Sequence, residues 1–228
     1  MDDPAVAVEE GLRPWPHIRD TWWVFVLAAA ALGIFLLGFL VDLRCGPPGC
    51  RGSLPRRLFD LDELGSLPRL FTTGLFVAVG SIAWRARRSV DGAPSTWWGA
   101  VSGLGSALAL AKLTSVHSVA KHSVSPGVTL VGGVGLTVLV LGALWVSGRR
   151  EGVAGAGAVV LAMAAYAAAA LGLDLLTGLA AAVQDRVGWL TVAGTTFVEE
   201  LGEALSALLV LVTVRWQSPA PGRRRPSA

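Results

Sequence analysis

The chain has 228 residues, of which 53% are hydrophobic and only 15% charged, where an average soluble domain carries about 25% charge. A mean hydropathy of +0.60 with 28 Gly and 9 Trp excludes disordered, fibrous and disulfide-dense classes and leaves an all-α, polytopic membrane protein. The net charge is +3, the basic residues are 17 Arg and 2 Lys, and no basic run is interleaved with aromatics, so nucleic acid is excluded as a partner.

A membrane-spanning helix needs roughly 20 mainly apolar residues. Six windows qualify: 21–41, 67–84, 96–116, 128–147, 153–173 and 195–214, giving a six-span bundle between an N-terminal tail, 1–20, and a basic C-terminal tail, 215–228. The first window is too long for a signal peptide and no small-x-small cleavage site follows it, so it is expected to persist as a helix. Counting Arg and Lys in the tails and loops gives eleven on the side of both termini and seven on the other. That bias places both termini in the cytoplasm of a bacterial inner (plasma) membrane protein.

Cys45 and Cys50 flank Gly-Pro-Pro-Gly in the first loop, on the expected outer side. A turn of that composition can bring two cysteines together, and outside the cytoplasm such a pair oxidises, so a Cys45–Cys50 disulfide is expected. A two-cysteine metal site is the rival reading, although zinc sites usually take four ligands.

Small residues recur at helical spacing: Gly99-x-x-x-Gly103 with Ser102 and Ser106, then Gly132, Gly133 and Gly135, then Gly152, Gly155 and Gly157. In lipid such residues let helix backbones approach closely. They are expected to pack the bundle internally, with a homo-oligomer or a partner subunit as the alternative. Trp15, Trp22, Trp23, Trp97, Trp98, Trp145 and Trp216 sit near span ends and read as interfacial anchors.

Ionisable residues inside a span cost about 2.5–3.5 kcal/mol each on insertion scales, so each is a candidate for function. One cluster closes the third window: Lys112, Ser115, His117, Ser118, Lys121 and His122. The other lies in the sixth: Glu199, Glu200 and Glu203. Both fall in the outer half, and in antiparallel helices Lys112 and Glu199 stand at one depth. A Lys112–Glu199 or Lys112–Glu203 ion pair is therefore expected, with His117 above it. The polar set Lys112, Ser115, His117, His122, Glu199, Glu200 and Glu203 is either a binding site open to the outside or a network that locks two helices. A third option puts the glutamates in a loop.

Gly-x-Ser-x-Gly, His-Glu-x-x-His, P-loop and Gly-x-Gly-x-x-Gly patterns are absent, and no cofactor is indicated. A mixed metal site would have to use His117, His122 and a glutamate such as Glu199.

Leu58-Phe-Asp-Leu-Asp-Glu-Leu-Gly-Ser-Leu-Pro68, together with Ser115-x-His117 and Glu199-Glu200-x-x-Glu203, resembles a broad group of bacterial multi-pass membrane proteins that carries no known activity. The resemblance covers about a third of the chain. That group has acids where this chain has Ala111, Lys112 and Ser118. Ser118-x-x-x-His122 is more weakly similar to membrane hydrolases of the alkaline ceramidase type, which place His-x-x-x-His where this chain has Glu199-x-x-x-Glu203.

The leading expectation is a buried Lys/His/Glu site that binds or moves a proton or small cation, or that supports a membrane complex. The alternatives are metal-assisted hydrolysis of a lipid or envelope precursor, and a structural accessory subunit.

Overall fold

A computed structural model describes residues 21–46, 53–61, 63, 65–114 and 126–219, with side chains from 130 onward in the last of these segments. The described residues form eight helices and no strand: α1 (Trp22–Cys45), α2 (Leu54–Phe59), α3 (Leu67–Ser89), α4 (Ala93–Thr114), α5 (Pro126–Arg150), α6 (Ala156–Ala182), α7 (Gln184–Val187) and α8 (Trp189–Gln217). Helix is the expected outcome for apolar segments in lipid, because only a helix satisfies every backbone group within the segment.

Four of them, α1, α3, α5 from Leu130, and α6, are long and apolar enough to cross a membrane. The two other long helices, α4 with 22 residues and α8 with 29, are the two that carry Lys112 and the three glutamates. The glutamates sit within α8, which removes the reading that put them in a loop. Gly155 and Gly188, with φ of 76° and 78°, turn the chain into α6 and α8, a backbone region that side chains other than glycine enter at a cost.

The helices pack as two antiparallel pairs, α3 with α4 and α6 with α8, joined where α3 meets α8. α1 lies against α8, and α5 is peripheral, resting on α6 and the edge of α4. Its outer face, with Val131, Leu136 and Leu139, is exposed. The main core is formed by Phe76, Val79 and Ala83 of α3, Trp97, Trp98 and Val101 of α4, Val159 and Met163 of α6, and Ala207, Val210 and Val214 of α8.

α3 and α4 come close at Gly80 and Gly105. A Cβ on Gly105 would stand 3.0 Å from the Gly80 nitrogen, and Ser102 Oγ donates to the Gly80 carbonyl at 2.9 Å. The contact therefore uses Ser102, Gly105 and Ser106, while Gly103 faces open space. Gly132 and Gly135 likewise have no neighbour, whereas Gly133 meets Leu171, Gly157 meets Trp145, and Gly155 meets Gln217.

Two tryptophans correct the sequence reading. Trp97 and Trp98 are core residues, only 1% and 2% exposed, stacked edge-to-face at 5.0 Å, and Trp97 Nε1 donates to the Leu144 carbonyl at 2.9 Å. An indole buried with its N–H satisfied is stable in a core. Trp22 is exposed, as an anchor would be. Arg87 and Arg88 lie over Trp84, Arg149 over Trp145, and Arg215 over Trp23, so one end of the bundle carries a belt of arginine–tryptophan pairs.

The segment after α2 folds inward. Leu61, 1% exposed, packs with Ala31 and Phe35 of α1 and Ala204 of α8, beside Gly38, where a Cβ would collide with Leu61.

Candidate functional site

Lys112 is two residues from the described end of α4, and its ammonium meets Glu203 of α8 directly, with Glu200 Oε2 at 3.8 Å. The two glutamates are buried, 9% and 5% exposed. They are three residues apart, which places them on one helix face. α4 and α8 do not pack backbone to backbone, so the long lysine side chain spans the space between them.

The pairing differs from the expected one at a single position. Glu200, not Glu199, is the second carboxylate on Lys112, because the buried face of α8 runs through Glu200, Glu203, Ala204 and Ala207. Glu199 is one position, about 100°, off that face. It is half-buried, yet its charge still acts on Glu200.

Two members of the cluster were not foreseen. Arg69, counted with the outer basic residues although the 67–84 window contains it, is the third residue of α3, is 7% exposed, and its charge acts on Glu200. Tyr166, the only tyrosine in the chain, is buried in α6, where its ring stands edge-on to Phe76 at 4.7 Å and its hydroxyl feels Lys112, Glu200 and Glu203. A lone tyrosine inside an alanine-rich helix was the available signal for it.

Ser115, His117, Lys121 and His122 lie outside the described residues. The metal reading built on His117, His122 and Glu199 therefore rests on two residues outside them. Among the described residues no group of three or more His, Cys, Asp or Glu is placed to hold a metal ion. Cys45 ends α1 and is disulfide-bonded, while Cys50, the only other cysteine of the chain, is outside the described residues.

With all three ionised, Lys112 offsets one of the two carboxylates it touches, Glu200 and Glu203, while Arg69 and Glu199 act on Glu200 and have further partners of their own. Buried charge persists only when it is compensated, so the cluster is suited to take up one further positive charge. Comparison with protein-family models, with curated proteins and with solved structures finds no match to this chain. The functional reading accordingly rests on the geometry.

Proposed function

We propose that the chain is a six-span plasma-membrane protein of the bacterial inner-membrane type, which holds a proton or a small monovalent cation at a buried site reached from the extracytoplasmic side. The observation that carries this reading is Lys112 shared between two buried carboxylates, Glu200 and Glu203. Charged groups within a span ordinarily mark an ion or proton pathway.

α4 and α8 complete the six spans in this reading. At about 1.5 Å per residue they measure roughly 33 Å and 44 Å, enough to cross about 30 Å of hydrocarbon. Their charges are turned toward each other and away from lipid. Both termini are assigned to the cytoplasm. Arg69 is buried, so it drops out of the outer count, which becomes eleven against six. The arginine–tryptophan belt lies at the end assigned to the cytoplasm.

Cysteine labelling checks the orientation and the disulfide together. In intact cells a membrane-impermeant maleimide is expected to leave Cys45 and Cys50 unmodified, and to label both once an impermeant reductant is added. Labelling without reductant would argue against the disulfide, and no labelling after reduction would reverse the topology.

The cation reading is tested on protein reconstituted in lipid. Carboxylate infrared bands are followed while sodium replaces choline at fixed pH, and while acid is added at fixed salt. Wild type is expected to give a reversible change in at least one titration, and the Glu200→Gln/Glu203→Gln variant none. Identical responses from the two proteins would sink the assignment.

A structural reading has its own support. Lys112 bridges two helices whose backbones do not pack on each other, so the ion pair also acts as a strut, as in an accessory subunit. That role alone gives no infrared response to either ion.

A further inference from the structure

Most hydroxyls on these helices bond back to a carbonyl of their own helix. Thr72 donates to Pro68 O, Ser106 to Ser102 O, Thr196 to Val192 O and Ser206 to Gly202 O. Thr73 does not. Among the described residues its Oγ1 has no hydrogen-bond partner, although the residue is only 8% exposed. A buried hydroxyl with no partner costs roughly 1–3 kcal/mol, so it calls for a physical reason.

Its position supplies one. α3 and α4 come close at Gly80 against Gly105, where an added Cβ would meet backbone. Seven residues, about two turns, return a helix to the same face. Counting seven outward along both antiparallel helices leads from Gly80 to Thr73 and from Gly105 to Lys112. The same contact face therefore brings Thr73 opposite Lys112.

A second register agrees. α3 and α8 run in the same direction, and Arg69 near the start of α3 is close enough to Glu200 for its charge to act on it. Four residues inward from Arg69 is Thr73, about 6 Å, and three residues inward from Glu200 is Glu203, about 4.5 Å. Thr73 thus stands at the level of Glu203. On its own helix it lies between Arg69, whose charge acts on Glu200, and Phe76, which packs on Tyr166.

We propose that Thr73 is a ligand of the buried site, its hydroxyl oxygen joining the carboxylates of Glu200 and Glu203 around a small hard monovalent cation of the sodium type. The proposal rests on the cation reading above and narrows it. A hydroxyl offers lone pairs without adding charge, and hard cations take oxygen donors. Lys112 already offsets one of the two carboxylates, which leaves a place for a monovalent ion and not a divalent one. Lys112 sits on the same carboxylates and sets the affinity by competing for them.

Three proteins in lipid decide the matter: wild type, Thr73→Val, which keeps the shape and removes the hydroxyl, and Thr73→Ser, which keeps the hydroxyl. Sodium is titrated against choline at fixed pH and the half-saturating concentration is read from the carboxylate bands. Thr73→Val is expected to raise it at least tenfold, and Thr73→Ser to stay within about threefold of wild type. A purely structural threonine would lower the thermal midpoint of Thr73→Val without moving the half-saturation point. Equal sodium affinity in wild type and Thr73→Val overturns the assignment of Thr73 and leaves the cation reading standing. A response to acid but none to sodium in wild type also overturns it, and reduces the site to a proton site. No response to either ion overturns both.

Discussion

Lys112→Met is expected to destabilise the protein by about 3 kcal/mol, the lower part of the range for removing one partner of a buried ion pair. The loss exceeds the worth of the pair itself, because Glu200 and Glu203 are left buried beside each other without their ammonium. Removing a carboxylate as well relieves that repulsion. Lys112→Met/Glu203→Gln should therefore be more stable than Lys112→Met alone, recovering more than half of the loss. Lys112→Met/Glu200→Gln should recover somewhat less, since Glu200 stands at 3.8 Å and Glu203 is in direct contact. Lys112→Met/Glu199→Gln should recover least, because Glu199 lies off the buried face. Thermal unfolding in detergent ranks the four proteins. If neither the Glu203 nor the Glu200 double variant is more stable than Lys112→Met, the pair does not hold the bundle together.

The all-helical fold and the charge cluster were legible for different reasons. Long apolar windows force helix in lipid whatever the tertiary arrangement, so α1, α3, α5 and α6 follow from composition. Lys112 and the α8 glutamates were legible because charge in an apolar segment is costly and matching depth offers a way to offset it. Depth does not fix rotation about the helix axis, however. Glu199 and Glu200 differ by one residue and about 100°, and only the packing of α8 on its neighbours chose Glu200. Arg69 was hidden because it was counted among the outer basic residues although the 67–84 window contains it, and α3, starting at Leu67, carries it into the bundle as its third residue. Trp97 and Trp98 were misassigned because a span end predicts depth and not whether a ring faces lipid or the core. Thr73 had no signal of its own, since a threonine in an apolar helix ordinarily bonds back to its own backbone.

Gly105→Leu is expected to separate α3 from α4 and to cost at least about 2 kcal/mol, within the range for overpacking a tight core. Its Cβ would stand 3.0 Å from the Gly80 nitrogen, 3.2 Å from the Gly80 Cα and 3.1 Å from Val79 Cγ1. Two of those neighbours are backbone, so no side-chain rotation relieves the contact. The Ser102 hydrogen bond to Gly80 O, one turn away, should be lost with it. The site should suffer as well, because the same helix contact sets the register of Lys112 against Thr73 and Glu203. Gly103→Leu, two residues away in the Gly99-x-x-x-Gly103 pattern that the sequence advertises, should have little effect on stability, since Gly103 has nothing within 4 Å. The two variants carry the same side chain on the same helix, so their difference measures the α3–α4 contact and not helix propensity. Thermal midpoints in detergent should fall for Gly105→Leu and hold for Gly103→Leu. The reverse order would mean that α4 uses its Gly99–Gly103 face to pack, and that the register bringing Lys112 to Glu203 is wrong.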